Sequence, residues 1–411
     1  MASAPKDEQK PGFKYTAQLE SSLVKGEVKM EVGENALIVT ALFDVFEIPY
    51  AELNALLLAN YVITVKADSG DYAFSKMGSW CQPFYDKLYE AYNKAVLRSL
   101  FVKGSPIVRT NGEVRFTESG AKSSNAAPVH VYGNSVVSLP PNLEARRVPL
   151  CFLTGMEKGS YELTLKVDAD ETYTYSKMGY DFEPVADAVE KDLREIRDRS
   201  LADVKEICPS LTSMQASQIA KIMPKGAAAS FGQITAIAPP FAAAMEERIS
   251  KTRAAETYKA FKEMCNPSQI YVGFKKKEGS AENTTEASEG EETEAQKPND
   301  FLLWLIAPSQ DGRFVAVEFA VTDAATFVYR TGGDFNRFAR QLNRALEAID
   351  FKREVIWMSD ADLRKPENVD YFMAAKRTAA LRYVRSSFVG RVIHLGAEAW
   401  KNNLKELWSG K

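Results

Sequence analysis

Histidine is almost absent from this 411-residue chain, and so is the machinery that usually accompanies it. His130 and His394 stand far apart, so a Ser-His-Asp arrangement would have to form around one of them alone. No GxSxG elbow, HExxH pair, P-loop or strand-following GxGxxG is written anywhere in the chain. The expectation is a non-enzyme with no catalytic, cofactor or metal-ligating residues. Cysteine is equally scarce. Cys81, Cys151, Cys208 and Cys265 are widely separated and form no CxxC pair, which suits free thiols in a reducing compartment rather than a disulfide scaffold. No run approaches eighteen uninterrupted apolar residues, so no segment reads as a transmembrane span. The polar start, MASAPKDEQKPG, lacks the apolar centre of a signal peptide, and a cytoplasmic location is expected. Charge of one sign is missing too: 52 basic and 55 acidic residues give −3, which excludes a chain-wide attraction to nucleic acid or anionic membrane.

What is present is a repeat. Residues 61–78 read YVITVKADSGDYAFSKMG and residues 161–179 read YELTLKVDADETYTYSKMG. Tyr61, Thr64, Lys66 and Asp68 recur as Tyr161, Thr164, Lys166 and Asp168 at an offset of 100. One residue is then inserted in the turn, and Ser75, Lys76, Met77 and Gly78 recur as Ser176, Lys177, Met178 and Gly179. A length change in a turn costs little. The likeness extends over about residues 33–100 against 133–202 and marks a duplication. In each copy, short alternating segments rich in β-branched and aromatic residues predict strands, with turns at Asp68-Ser69-Gly70 and Asp168-Ala169-Asp170. After SKMG, Phe84, Leu88, Tyr92 and Leu97 in one copy and Val185, Val189, Leu193 and Ile196 in the other predict an amphipathic helix. SKMG itself reads as structural, with glycine permitting the strand-to-helix turn and methionine filling the space beneath it.

The fold class that follows is α+β: antiparallel sheets, each closed by one C-terminal helix. This arrangement resembles the pleckstrin-homology-like superfold, in which a bent sheet or partial barrel is capped by such a helix. The resemblance rests on architecture and on the repeat, since that superfold carries no diagnostic motif. It implies unit 1 at residues 13–104, after a disordered tail at 1–12, and unit 2 at 105–207. A third, more diverged unit is expected at 267–351, where QIYVGFKKK, FLLWLIAP, RFVAVEFAV and ATFVYRT read as strands and Phe335, Phe338, Leu342 and Leu346 line a helix. Between them, 208–266 is an Ala- and Met-rich helical insert with a helix start at Pro239-Pro240. Residues 278–300 hold eight acids and one lysine and predict a disordered loop. Residues 352–411 are expected to be a basic helical C-terminal segment.

The resemblance also implies where partners bind: along an open sheet edge or the helix–sheet groove for a protein or peptide, and at basic residues in the first strand loop for anionic lipid. Lys25 and Lys29 stand there in the first copy, and Arg109 and Arg115 flank an Asn111-Gly112 turn in the second, neither set dense. A separate candidate for phosphate, on lipid or nucleic acid, is the cluster Lys376, Arg377, Arg382, Arg385 and Arg391, set among aromatics in the one cationic stretch of the chain. A solvated helix face is the competing reading of that cluster. Asp168-Ala169-Asp170-Glu171 and Asp360-Ala361-Asp362 carry oxygen ligands, but turn chemistry explains them without a cation. The function expected is a binding or scaffold protein with a protein or peptide partner, the alternative being a phosphate-reading surface on the basic C-terminal segment.

Overall fold

A computed structural model describes residues 14–118, 120–168, 171–277, 301–320 and 325–410. The expected tail at 1–12, the acidic loop 278–300, and Ala169 and Asp170 of the expected turn lie outside the described residues. The chain divides into two compact units: residues 1–190 with 348–382, and residues 191–347 with 383–411.

The first unit holds two seven-stranded antiparallel sheets. The first comprises β1 (Tyr15–Ser21), β2 (Lys25–Val32), β3 (Ala36–Thr40), β4 (Val45–Pro49), β5 (Leu53–Ala59), β6 (Val62–Ala67) and β7 (Gly70–Ser75), followed by α1 (Cys81–Ser99). The second comprises β8 (Val108–Glu118), β9 (Ala121–Tyr132), β10 (Ser135–Ser138), β11 (Arg146–Pro149), β12 (Gly155–Lys158), β13 (Glu162–Asp168) and β14 (Glu171–Ser176), followed by α2 (Phe182–Ile207). Their strand orders are β4-β3-β2-β1-β7-β6-β5 and β11-β10-β9-β8-β14-β13-β12, the same order strand for strand. Register agrees as well: Ile63 faces Phe74 and Leu163 faces Tyr175. Period-two alternation fixes which face is buried. In β1, Tyr15, Ala17 and Leu19 point inward while Thr16 and Glu20 are exposed. Phe84, Leu88, Tyr92 and Val96 form the buried stripe of α1, so the face runs to Val96 rather than to Leu97. In α2, Val185, Val189 and Ile196 are buried, but Asp192 takes the inward place expected of Leu193.

SKMG is a turn with two left-handed residues. Lys76 and Lys177 have φ of 60° and 56°, and Gly78 and Gly179 have φ of 57° and 59°. Both lysines are exposed at this turn. Met77 and Met178 between them are each 5 % exposed. A non-glycine residue in this region carries about 1–2 kcal/mol of backbone strain, and both copies retain it. One expected turn is absent: Asn111-Gly112 lies within β8, whose pairing with β9 runs unbroken through both residues.

The second unit takes in the C-terminal part of α2 from Lys191, then α3 (Ser213–Ile222), β15 (Ala229–Ser230), α4 (Phe231–Ile237), α5 (Pro239–Ser250) and α6 (Ala255–Met264). Then come β16 (Tyr271–Lys276), β17 (Phe301–Pro308), β18 (Phe314–Phe319), β19 (Ala325–Arg330) and α7 (Phe335–Ala348). After α8 (Glu354–Trp357), α9 (Asp360–Leu363) and α10 (Val369–Arg377), which belong to the first unit's residues, follow α11 (Ala379–Ser387), which spans the division, and β20 (Phe388–Ile393) and α12 (Ala397–Trp408). The third sheet is a plain meander, β15-β16-β17-β18-β19-β20. It does not repeat the order of the first two, so strand order gives no support to the equivalence expected for residues 267–351. Both faces of β17 and β18 are buried, which explains their near-continuous apolar sequence. Leu303, Leu305 and Ala316 share a core with Ile219, Phe241, Phe261 and Leu404, while Tyr329 packs on Phe338 of α7 at 5.2 Å between ring centroids. Residues 388–393, expected to be helical, are a strand: β20 pairs with β19 along its length.

Candidate functional site

Equivalent hairpin loops of the two repeats behave oppositely. In the second repeat, the segment between β10 and β11 is buried at its ends, with Leu139 1 % and Ala145 0 % exposed, and half-buried over residues 141–144. It docks on the first repeat. The Leu56 amide on edge strand β5 donates to the Pro141 carbonyl at 2.8 Å, and Ala55 and Asn142 form an isolated β-bridge. From α1, the Tyr89 hydroxyl donates to the Leu139 carbonyl and the Tyr92 hydroxyl to the Asn142 carbonyl, the latter at 3.1 Å. The loop is also braced from its own sheet, where Asn125 donates to Glu144 at 2.6 Å and accepts from Asn142 at 3.1 Å.

In the first repeat the corresponding loop is the tight turn Ala41–Asp44, closed by the Ala41 amide donating to the Asp44 carbonyl at 2.8 Å. Leu42 and Phe43 occupy its centre and are 82 % and 95 % exposed. Neither has positive φ. Hairpin centres favour Asn, Asp or Gly, so turn chemistry gives no reason for a Leu-Phe pair. Leu23, in the neighbouring β1–β2 turn, and Val45 are also largely exposed. The two turns border an open cleft of about 810 Å³, with Lys25, Lys29 and Thr40 along its wall. Lys25 pairs with Glu20 at 3.0 Å. Lys29 is exposed, and Glu27 and Asp44 balance the two lysines.

The five cationic residues singled out from sequence are divided between the units, with Lys376, Arg377 and Arg382 among the first unit's residues. Arg377 is 1 % exposed: its guanidinium donates to the Tyr92 hydroxyl at 2.7 Å and to the Met373 carbonyl at 3.1 Å. It is a buried strut at the C-terminal end of α10, not an anion contact. Lys376 donates to the Ala51 carbonyl at 3.1 Å and to Asp68 at 2.8 Å. Arg382 donates to the Lys376 carbonyl at 2.7 Å. Arg385, half-buried, and Arg391, exposed on β20, belong to the second unit's residues. In the second repeat Arg115 is ion-paired with Glu162, and His130 is held below the ordinary imidazole range by burial and by the Arg109 charge. Asp362 is taken by Lys365 at 2.6 Å, with Ser359 capping α9.

His394 does meet a carboxylate and a hydroxyl. Its Nε2 lies 3.0 Å from Thr326 Oγ1 and 3.3 Å from Glu318. Thr326 donates to Glu318 and accepts from Trp400 Nε1 at 2.8 Å. Thr326 is 0 % exposed. The cluster ties β18, β19, β20 and α12 together.

The sequence reading passed over the Ala41–Asp44 turn. Its signal was available: two bulky apolar residues at the centre of a four-residue connection between strands. No family model matches the chain, and no curated protein matches its sequence.

Proposed function

We propose that the protein is a non-enzymatic, cytoplasmic binding protein built on two tandem pleckstrin-homology-like units, and that the first unit docks a protein partner through Leu42 and Phe43. The shared order β4-β3-β2-β1-β7-β6-β5, closed by a C-terminal helix in both repeats, supports the unit assignment. One observation carries the docking role: a Leu-Phe pair stands bare at a hairpin centre where the same loop of the other repeat is docked and half-buried to buried. Burying two such side chains contributes about 3–6 kcal/mol, enough to anchor a contact. The balanced charges around the tip favour a protein surface over an anionic lipid or nucleic acid, which needs a cationic excess.

The test places a photo-crosslinking amino acid at position 43 in the native host. A discrete protein adduct that disappears with Leu42→Asp is expected. If position 43 gives no more adduct than the same probe at Tyr61, which is 77 % exposed on another hairpin, the docking role fails.

A further inference from the structure

We infer that the partner of the Leu42–Phe43 turn is a second copy of this chain, bound head to tail at the edge of strand β12. The inference rests on the docking reading above and names its occupant. The template is inside the molecule. One repeat already places its loop on the other repeat's edge strand, through the Leu56 amide and the Pro141 carbonyl at 2.8 Å. The same contact can be written once more. Leu56 pairs with Val65 and Met156 pairs with Leu165, so Met156 occupies the place of Leu56 in the second sheet. The Gly159 amide turns inward to the Glu162 carbonyl. Amides alternate sides along a strand, so those of Glu157 and Gly155 face inward and that of Met156 faces outward.

Among the described residues, β12 is an edge strand and no hydrogen bond occupies the Met156 amide. Among the described residues, each chain therefore holds an exposed loop on its first repeat and an open β12 edge on its second. Joining the two makes a heterologous contact, which grows into a ring or an open chain rather than stopping at a two-fold dimer. The contact differs from its template in the shorter loop and in the helix, where Leu193 stands at the position of Tyr92. Glu190 stands at the position of Tyr89 in the helix, so the new contact relies on the strand edge and on burial of Leu42 and Phe43 rather than on a tyrosine hydroxyl.

The experiment is sedimentation of the full chain across a concentration series, with two variants. Phe43→Asp removes the loop anchor at an exposed site. Met156→Pro removes the edge amide at a position where a strand tolerates proline because its N–H faces outward. Wild type is expected to grow past a dimer with concentration, and each variant alone to remain monomeric. A one-to-one mixture should form a dimer and stop, since each variant keeps the face that the other lacks. A wild type that stays monomeric at every soluble concentration overturns the inference, and so does a mixture that stays monomeric. If Met156→Pro fails to fold, Phe43→Asp mixed with wild type decides: it should shorten the assemblies by capping them, and unchanged assemblies overturn the inference. A crosslink from position 43 to a different protein also overturns it, but leaves the docking role standing.

Discussion

The loops Ala41–Asp44 and Leu139–Ala145 join equivalent strands of two sheets with identical order, yet one is bare at its centre and the other is docked and half-buried to buried. The frame does not decide this; length and local chemistry do. The longer loop carries Pro140, Pro141 and Asn142, reaches the neighbouring sheet edge and has its polar atoms satisfied by Asn125, Tyr92 and Leu56. The shorter loop closes on itself through the Ala41 amide and leaves Leu42 and Phe43 exposed. A duplicated module thus kept its fold while one copy turned a loop into an internal clamp. A matched pair of substitutions breaks the comparison most forcefully. Leu139→Ala should destabilise the first unit by about 2–5 kcal/mol, whereas Leu42→Ala should stay within about 0.5 kcal/mol. Urea unfolding of the isolated full-length protein reads both. Equal losses would mean that Leu42 is buried in solution.

Much of this frame was legible in the chain. Alternation in segments such as Val62–Lys66 and Leu163–Val167 demands strands with one buried face, and the SKMG repeat marks the exit into each helix. The meander strands β16 to β19 were legible for the same reason. The junctions were not. Phe388 continues the spacing of Leu381 and Val384, so helix periodicity runs straight into what is β20; pairing with β19 overrides it. Arg377 sits in a stretch that looks like a solvated basic face, and only its meeting with Tyr92, 285 residues away in sequence, makes it interior. The Leu139–Ala145 loop has the composition of a surface turn, and its burial depends on a partner from the other repeat. Local pattern writes elements; long-range docking is written in no local pattern.

The SKMG turn sharpens the comparison from the opposite side, because there the two copies should respond alike. A Cβ added at Gly78 or Gly179 meets nothing within 4 Å, so packing is not at issue and only the left-handed backbone is. Gly78→Ala and Gly179→Ala should each cost about 1–2 kcal/mol. Calorimetric unfolding of the two variants checks this. A large difference between them would show that one turn can relax and the other cannot.

The smallest effect concerns Asp68, which the repeat keeps and which holds α10 through Lys376. Burial pushes the Asp68 carboxyl up, yet hydrogen bonds from Lys376 and Asn54 and the charges of Lys376 and Arg364 outweigh it and leave it below its ordinary 3.8. A carboxyl depressed in the folded state adds stability that is fully present above its unfolded value and is lost as pH falls through the folded one. Asp68→Asn should therefore lower stability near neutral pH by about 1 kcal/mol or less, because the pair is partly open to solvent. The gap to wild type should close in acid, below the usual carboxylate range. Urea midpoints measured from neutral to acid pH decide the matter. A gap that persists unchanged into acid would assign the loss to packing, and the ion pair between Lys376 and Asp68 would then not be what fastens α10 to the first sheet.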